Sequence, residues 1–302
     1  MKALVCTLAF GLTSFASLAF AEETEVSFAY VPAPSAESVV VEQPLGKLQI
    51  RGWDKDEVRI VATKRAPDAA TLDRLRVNVE MLDGHIRIRT GVRVGGALKA
   101  LPQAKMGIDL AVDAPRHVAL QARTWSGDLE AQGFRAGAQL ASTGGEVRAS
   151  DIEGKVVSNS VKGRQRLSAI RGNVEADGVT GDLELDTVDG DELDAKVVEG
   201  QITARQVRTQ VVHLFSTSGG IVFVGTIRAG ALYDLKTDQG DIRLSLDRSP
   251  FSVTARAPMG RVVSGFQVRG ELLPTRLHGD FLGGGGTLDL ASFRGNVSIT
   301  PR

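Results

Sequence analysis

Six glycines recur every nine residues in the middle of this 302-residue chain. A fixed period of this kind is the sequence signature of a repeat architecture. Glycine suits the corners of a repeat because it adopts positive φ and brings no side chain into the bend. The spacing therefore predicts that many of the chain's 34 glycines are corners of a rigid structure. The six are Gly145, Gly154, Gly163, Gly172, Gly181 and Gly190.

Apolar side chains follow the same period. From Gly145 to Gly181, the positions two, four and seven residues after each glycine are apolar in thirteen of fifteen cases. Charged and polar residues lie between them, which is the alternation of a strand with one buried face. We therefore expect buried side chains at these positions, Val161 and Val179 among them. After Gly190 the register slips by one residue, which predicts a bulge or a longer turn.

Two chain paths fit short strands joined by glycine corners. A meander of hairpins would give an antiparallel sandwich or barrel. Winding in one sense would instead stack coils of about 18–20 residues into a β-solenoid, in which each repeat shares its core with its neighbours. The glycine corners and the apolar positions recur in the same order every second glycine, that is every 18 residues. This regular spacing favours the all-β parallel solenoid.

The first twenty-one residues are predicted to be a secretory signal peptide. Lys2 supplies a positive start, an uncharged and mostly apolar stretch follows, and Ala19-Phe20-Ala21 is a small-residue cleavage signature. An uncleaved membrane anchor is the alternative. Cys6, the only cysteine, lies inside this segment, so an exported chain cleaved after Ala21 would carry no disulfide. We expect a periplasmic or cell-surface protein without an integral membrane segment after cleavage.

Residues 22–108 are predicted to form a β-rich N-terminal region that does not follow the nine-residue period. Gly46 to Asp54 and Val58 to Ala62 are expected to be a strand pair. Pro67 to Arg76 is the best helix candidate. Val77 to Thr90 is expected to be a hairpin that turns at Asp83-Gly84, and Gly91 to Lys105 a loop.

Residues 109–302 are predicted to be the solenoid repeat domain. Its last strands, at Thr287 to Leu290 and Asn296 to Ile299, are expected to cap the stack, because an open end exposes unpaired backbone.

Several segments occur in a recognisable order along the chain, and in four of them a glycine is followed directly by an acidic residue. The segments are Arg51-Gly52-Trp53-Asp54 with Glu57-Val58, Asp109 to Pro115, Leu120 to Thr124, Ser126 to Glu130, Gly144 to Val147, Gly181 to Leu185 and Gly240 to Leu244. Together they resemble the bacterial family of exported strand-repeat proteins named "putative adhesin", a domain of unknown function, over about residues 40 to 265. The resemblance implies a right-handed parallel β-helix and supplies no catalytic residue.

An acidic stretch runs from Gly172 to Ala195 and holds no lysine or arginine. Carboxylate oxygens are the ligands that calcium prefers, so a calcium-stabilised roll is one interpretation. The others are a solvated outward face and a surface for a basic partner. The nine acids are Glu175, Asp177, Asp182, Glu184, Asp186, Asp189, Asp191, Glu192 and Asp194.

Three further features are candidate sites. Trp53 and Trp125 are the only tryptophans, and an exposed one could stack on a sugar or a protein, whereas a packed one would cover the end of the core. His278-Gly279-Asp280 beside the glycines at 283–286 could form an acid–base pair, although loop residues are the simpler interpretation. The glycine run lacks the Lys-Ser/Thr of a phosphate loop, and no hydrolase signature is present.

The sequence thus predicts an exported, non-enzymatic cell-envelope β-solenoid that acts as a binding or interaction scaffold. No catalytic residue, cofactor-binding residue or metal ligand is assigned. The expected partner is an envelope protein or a polysaccharide; a nucleic acid is not expected, because 36 basic residues balance 36 acidic ones. The alternatives are a polysaccharide-active β-helix enzyme and the calcium-stabilised roll.

Overall fold

The computed structural model describes residues 23–94, 97–99 and 106–302, and the predicted signal segment at residues 1–21 lies outside this range. Among the described residues, none of the helices is long and apolar enough to cross a membrane. The chain divides into two compact units, residues 1–148 and 149–302. The domain boundary after residue 108 stays a prediction.

The described chain is almost entirely strand. Its elements are β1 (Glu23–Pro32), β2 (Ser38–Leu45), β3 (Leu48–Trp53), β4 (Glu57–Ala66), α1 (Ala69–Leu72), β5 (Leu75–Leu82), β6 (His85–Val94), β7 (Ala97–Lys99), β8 (Gly107–Pro115), β9 (Ala119–Ser126), β10 (Leu129–Gln132), β11 (Ala138–Gly144), β12 (Val147–Glu153), β13 (Val156–Lys162), β14 (Gln165–Arg171), β15 (Val174–Thr180), β16 (Leu183–Asp189), β17 (Glu192–Glu199), β18 (Ile202–Arg208), β19 (Val211–Ser218), β20 (Ile221–Gly225), β21 (Leu232–Gln239), β22 (Ile242–Leu246), β23 (Phe251–Arg256), β24 (Val262–Ser264), β25 (Arg269–Leu273), β26 (Arg276–Phe281), β27 (Gly286–Arg294) and β28 (Val297–Pro301).

The N-terminal unit contains two sheets. Sheet N1 has the order β1-β4-β8-β3-β10, and sheet N2 has the order β11-β9-β2-β6-β5, with β7 beside β6. β2 and β3 run parallel to β9 and β10, so residues 38–53 already form a solenoid coil. The nine-residue spacing did not reveal this coil, because an excursion through β4 to β8 separates it from the next one.

The C-terminal unit also contains two sheets. Sheet C1 has the order β14-β16-β18-β20-β22-β28-β24, and sheet C2 has the order β13-β15-β17-β19-β21-β27-β23-β26-β25. Consecutive coils add one parallel strand to each sheet, which confirms the predicted solenoid. In sheet C1 the residues that stand in register are Gln165, Leu183, Ile202, Ile221 and Ile242, so successive coils are 18 to 21 residues long.

The corner glycines stack on one another between coils. Gly181 has φ +132°, and a Cβ placed on it would lie 2.3 Å from the carbonyl oxygen of Gly163. Gly200, Gly219 and Gly240 continue this column with the same close approach, 2.0 to 2.3 Å from the preceding glycine oxygen. Glycine is therefore required here for the closeness of the next coil as well as for φ.

Polar side chains beside the glycines complete the corners. The Asp182 carboxylate, one residue after its glycine, accepts the N–H of Gln201 in the next coil at 3.0 Å. Three residues before a glycine, the buried hydroxyl of Ser216 donates to the carbonyl oxygen of Gly200 at 3.0 Å. These bonds satisfy backbone groups that the bend removes from the sheets.

The strands of the two sheets differ in which of their later residues point into the core. This difference overturns part of the predicted core. In β12, β14 and β16 the sixth residue after the corner glycine is left-handed, with φ of 53° at Asp151, 52° at Ala169 and 59° at Thr187, and the apolar residue that follows is buried. The C2 strands lack this residue and alternate normally. Val161 and Val179 are consequently exposed, so their predicted burial is wrong.

The slip after Gly190 is a longer turn. Gly172 and Gly190 stack 18 residues apart, whereas Val174 and Leu193 pair 19 residues apart, so the extra residue lies in the corner. The Asn173 side-chain oxygen accepts the N–H groups of both Asp191 and Glu192 there, at 3.1 and 3.3 Å.

Some N-terminal predictions need correction. β3 and β4 do not pair, because β8 lies between them, parallel to β3 and antiparallel to β4. The helix is only four residues long and begins after Asp68, whose side chain caps it. The hairpin at Asp83-Gly84 is confirmed, with φ of 49° and 79°. The loop expected over 91–105 is wrong where β6 and β7 cover it, and its residues 95–96 and 100–105 lie outside the described range.

The last strands do not cap the stack as expected. β27 lies between β21 and β23, and β28 lies between β22 and β24. The end strands of C1 and C2 are instead β24 and β25, because the chain passes the last coil, forms the β23–β26 segment and then returns.

Candidate functional site

A shallow depression lies on the outward face of sheet C2, where β17, β19 and β21 run side by side. Residues that point outward on these strands stand in register across the sheet. One row is Asp194, His213 and Asp234, and the next row is Lys196, Phe215 and Lys236. The depression measures about 230 Å³ and is lined by these six residues together with Leu214.

The alternation of each strand explains why these side chains face outward. Leu193 and Ala195 on β17, Val212 on β19, and Tyr233 and Leu235 on β21 are all buried in the core. Residues between them must point to the opposite face, because successive side chains of a strand alternate.

Two ion pairs flank the depression. The ammonium of Lys196 lies 2.7 Å from Asp194 Oδ2, and that of Lys236 lies 2.7 Å from Asp234 Oδ2. Imidazole Nδ1 of His213 is 3.8 Å from Asp234 Oδ2. The hydrogen bond to Asp194 is the main reason that the pKa of Lys196 is raised above its usual value. Each ion pair fixes the position of its lysine ammonium over the sheet.

Each aspartate keeps one oxygen unused. Asp194 Oδ1 and Asp234 Oδ1 are buried and have no hydrogen-bond partner among the described residues. Buried polar atoms without a partner are uncommon and call for an explanation. Phe215, between the two lysines, is 37% exposed. The depression is thus lined by two aspartate carboxylates, two lysine ammonium groups and part of an aromatic ring.

The acidic stretch is spread over corners and outward faces, and only Asp194 reaches the depression. Glu175 is 2.9 Å from Lys155, and Glu184 is 3.0 Å from Arg166, so bases of neighbouring coils pair with these acids. Burial raises the pKa of Asp177, with Lys196 opposing the shift. Within the described ranges, no group of three or more His, Cys, Asp and Glu residues is arranged to hold a metal ion.

The two tryptophans have different settings. Trp53 is half-buried, donates from Nε1 to the carbonyl oxygen of Glu57 at 2.7 Å, and has Lys55 and Arg59 4.8 and 5.3 Å from its ring centre. Trp125 is exposed on β9, two residues before the Gly127 corner.

The predicted loop at His278-Gly279-Asp280 is wrong, because these residues lie in β26. Nδ1 of His278 is 3.2 Å from the Thr254 hydroxyl on the neighbouring strand. His278 and Asp280 are exposed, and the structure brings neither to the depression.

Sequence reasoning missed His213, Phe215, Asp234 and Lys236. The signal was present, since an Asp-x-Lys sequence in β17 and another in β21 bracket His-x-Phe in β19. Seeing it requires the coils to be aligned, and their unequal lengths hide the alignment.

Comparison with known proteins gives the family. The family model described as Toastrack DUF4097 matches residues 21–267. Among curated proteins, no sequence matches this chain.

Solved structures that match this chain include three bacterial proteins. A "putative cell adhesion protein" from Clostridium sporogenes is 10% identical over 93% of this chain and 100% of its own, with a TM-score of 0.28. A "putative lipid binding protein" from Parabacteroides distasonis is 12% identical over 92% and 96%, with a TM-score of 0.44. A "putative adhesin" from Bacteroides fragilis is 13% identical over 92% and 97%, with a TM-score of 0.42. Since the family model spans most of the chain and agrees with the resemblance seen in the sequence, this protein belongs to the toastrack family of unknown function, DUF4097.

Proposed function

We propose that this protein is an exported, non-enzymatic binding scaffold and that the depression around Phe215 holds its ligand, an uncharged envelope polysaccharide. The observation that carries the proposal is the partly exposed ring of Phe215, with the carboxylate side chains of Asp194 and Asp234, 29% and 24% exposed, beside it.

Sugars match the chemistry of this surface. A pyranose ring presents an apolar C–H face that can lie on Phe215, and its hydroxyl groups can donate to carboxylate oxygens. The outer strands of the trio are two strand spacings apart, about 9.6 Å, so the site is elongated along the stack of coils. An extended chain of sugars fits such a site better than a compact ligand does.

The charges favour an uncharged glycan. Each lysine is paired with the aspartate of its own strand. The carboxylate of Asp289 is an additional anion, 4.0 Å from the Lys236 ammonium. Glu175 and Asp177 stand in register next to Asp194 and Lys196 on the β15 side. Anionic groups therefore outnumber cationic ones around the depression, and a polyanionic chain would be repelled.

Binding without cleavage agrees with the shape of the site. A deep acidic groove along one face would favour a polysaccharide-active β-helix enzyme, whereas the depression is shallow and its aspartates are paired with lysines. The aspartates hold the lysines in place and accept hydrogen bonds from the ligand. Export would place the scaffold at the cell envelope, where polysaccharides occur.

The test is binding of the purified protein to neutral and to anionic envelope polysaccharides. Stacking on an aromatic ring is worth about 0.5–1.5 kcal/mol beyond area burial, so Phe215→Ala should weaken neutral-glycan binding up to about tenfold. Asp234→Asn should also weaken binding, because it replaces an acceptor with a donor. Phe293→Ala is the matched control, since Phe293 is an exposed phenylalanine of sheet C2 that does not line the depression.

Four results would contradict the proposal. Neutral glycans could fail to bind, or Phe215→Ala could bind as wild type does. Recovery of a shortened glycan would show an enzyme. A protein ligand would be revealed if envelope extracts lose binding after protease treatment and keep it after periodate oxidation of sugars.

A further inference from the structure

The first strand of sheet N1 presents an apolar edge. β1 pairs with β4 on one side, and no described strand pairs with its other side. Val26, Phe28 and Tyr30 alternate along it and are 45%, 59% and 56% exposed. They form one outward row beside Val61 and Arg59 of β4.

An edge of this kind is unusual in a soluble protein. Natural edge strands are protected by charges, prolines, bulges or short length, because their free N–H and C=O groups invite another chain. β1 is ten residues long, and residues 26–31 carry no charge. Its proline, Pro32, lies at the very end. The strand therefore has the features of one that is covered in the assembled protein.

We propose that a second copy of this chain covers the edge, with the two β1 strands antiparallel and their two-fold axis at Phe28. Val26 then faces Tyr30 of the second copy, Ser27 faces Ala29, and Phe28 faces its own equivalent. A two-fold contact must be self-complementary, and this register pairs apolar with apolar and small with small.

The ends of the strand agree with this register. Thr24 would face Pro32 of the second copy, so pairing stops where the proline lacks an N–H to donate. Glu25 would face Val31, and its carboxylate is already held by Lys64 at 2.9 Å. The dimer would join the two N1 sheets by strand addition and bring six apolar side chains together on the outward face.

Cysteine crosslinking tests the register directly. Cys6 is the only native cysteine, so the full chain with Cys6→Ser provides a cysteine-free background. Residues directly opposite in an antiparallel pair have Cα atoms about 4.5–5.5 Å apart, within the range of a disulfide. Phe28→Cys should give a covalent dimer under mild oxidation. Val26→Cys and Tyr30→Cys should each crosslink poorly alone and efficiently when mixed.

The oligomeric state provides the second arm. Light scattering during gel filtration should show a dimer for the wild type and a monomer for Val26→Lys, which puts a charge on the edge. Val263→Lys is the matched control, because Val263 is 56% exposed on the other unit's end strand β24. Circular dichroism should show all variants folded.

A monomeric wild type would overturn the proposal, as would a dimer that Val263→Lys disrupts and Val26→Lys does not. Equal crosslinking at positions 26, 28 and 30 would overturn the register. If Val26→Lys stays dimeric and binds glycan normally, the proposed dimer contact fails while the proposed function stands, because the depression lies in the other unit.

Discussion

Replacing Gly181 with alanine should destabilise the C-terminal unit more than any ordinary loop substitution. Gly181 has φ +132°, and a new Cβ would lie 2.3 Å from the Gly163 carbonyl oxygen, where even 3.0–3.4 Å is tight. The coils would have to separate locally by about 1 Å, which is overpacking that costs about 1–3 kcal/mol. Separation of these two coils also strains the hydrogen bond from the Gly163 N–H to the Thr180 carbonyl oxygen, 2.9 Å long and worth about 1 kcal/mol.

Backbone strain adds to this cost. A side chain at positive φ costs about 1–2 kcal/mol, so Gly181→Ala should lose about 3–6 kcal/mol in total. Gly283→Ala isolates the strain, because Gly283 has φ +86° and nothing within 4 Å of its Cβ position. That control should lose about 1–2 kcal/mol.

Urea unfolding followed by circular dichroism measures both variants, and hydrogen exchange shows where the structure loosens. Exchange should accelerate in β15 to β17 for Gly181→Ala and stay unchanged there for Gly283→Ala. Equal losses of stability in the two variants would refute the reasoning, because coil stacking would then contribute nothing beyond φ.

Two further predictions concern buried polar groups and pH. Ser216→Ala should lower the free energy of unfolding by about 1–2 kcal/mol, because it leaves the Gly200 carbonyl oxygen without its 3.0 Å donor. Thr124→Val should lower it far less, since the buried Thr124 hydroxyl has no partner among the described residues. Thermal unfolding compares the two variants, and equal losses would contradict this role of Ser216. Burial raises the pKa of the Asp177 carboxyl above its usual 3.8, so the folded chain binds the carboxyl proton more tightly than the unfolded chain does. At a pH above the raised pKa, the ionised carboxylate therefore lowers the stability of the fold. Asp177→Asn should therefore be more stable than wild type at pH 7, with a difference that vanishes as the pH falls below 3.8; urea midpoints across pH test this, and a difference that grows on acidification would contradict it.

The repeat could be predicted from the sequence because its requirements are local. A corner needs glycine whatever lies elsewhere in the chain, so Gly145 to Gly190 revealed the coils. The turn at Asp83-Gly84 was predictable for the same reason. Val161 and Val179 were misassigned because the left-handed residue that turns the C1 strands inward, such as Ala169, has no distinctive side chain.

Long-range insertions were not predictable from local patterns. β8 enters between β3 and β4 from about fifty residues away, and neither strand's sequence indicates it. Likewise, the chain returns through β27 and β28 into the middle of the stack. The depression combines residues of three coils, and its pattern becomes visible only when the structure supplies the register of β17, β19 and β21.

A crystal structure of the protein with a bound neutral oligosaccharide tests the central claim most directly. The account predicts a sugar ring over Phe215 and sugar hydroxyl groups within hydrogen-bond distance of the Asp194 and Asp234 carboxylates. A sugar bound instead at the exposed Trp125, with the depression empty, would contradict it.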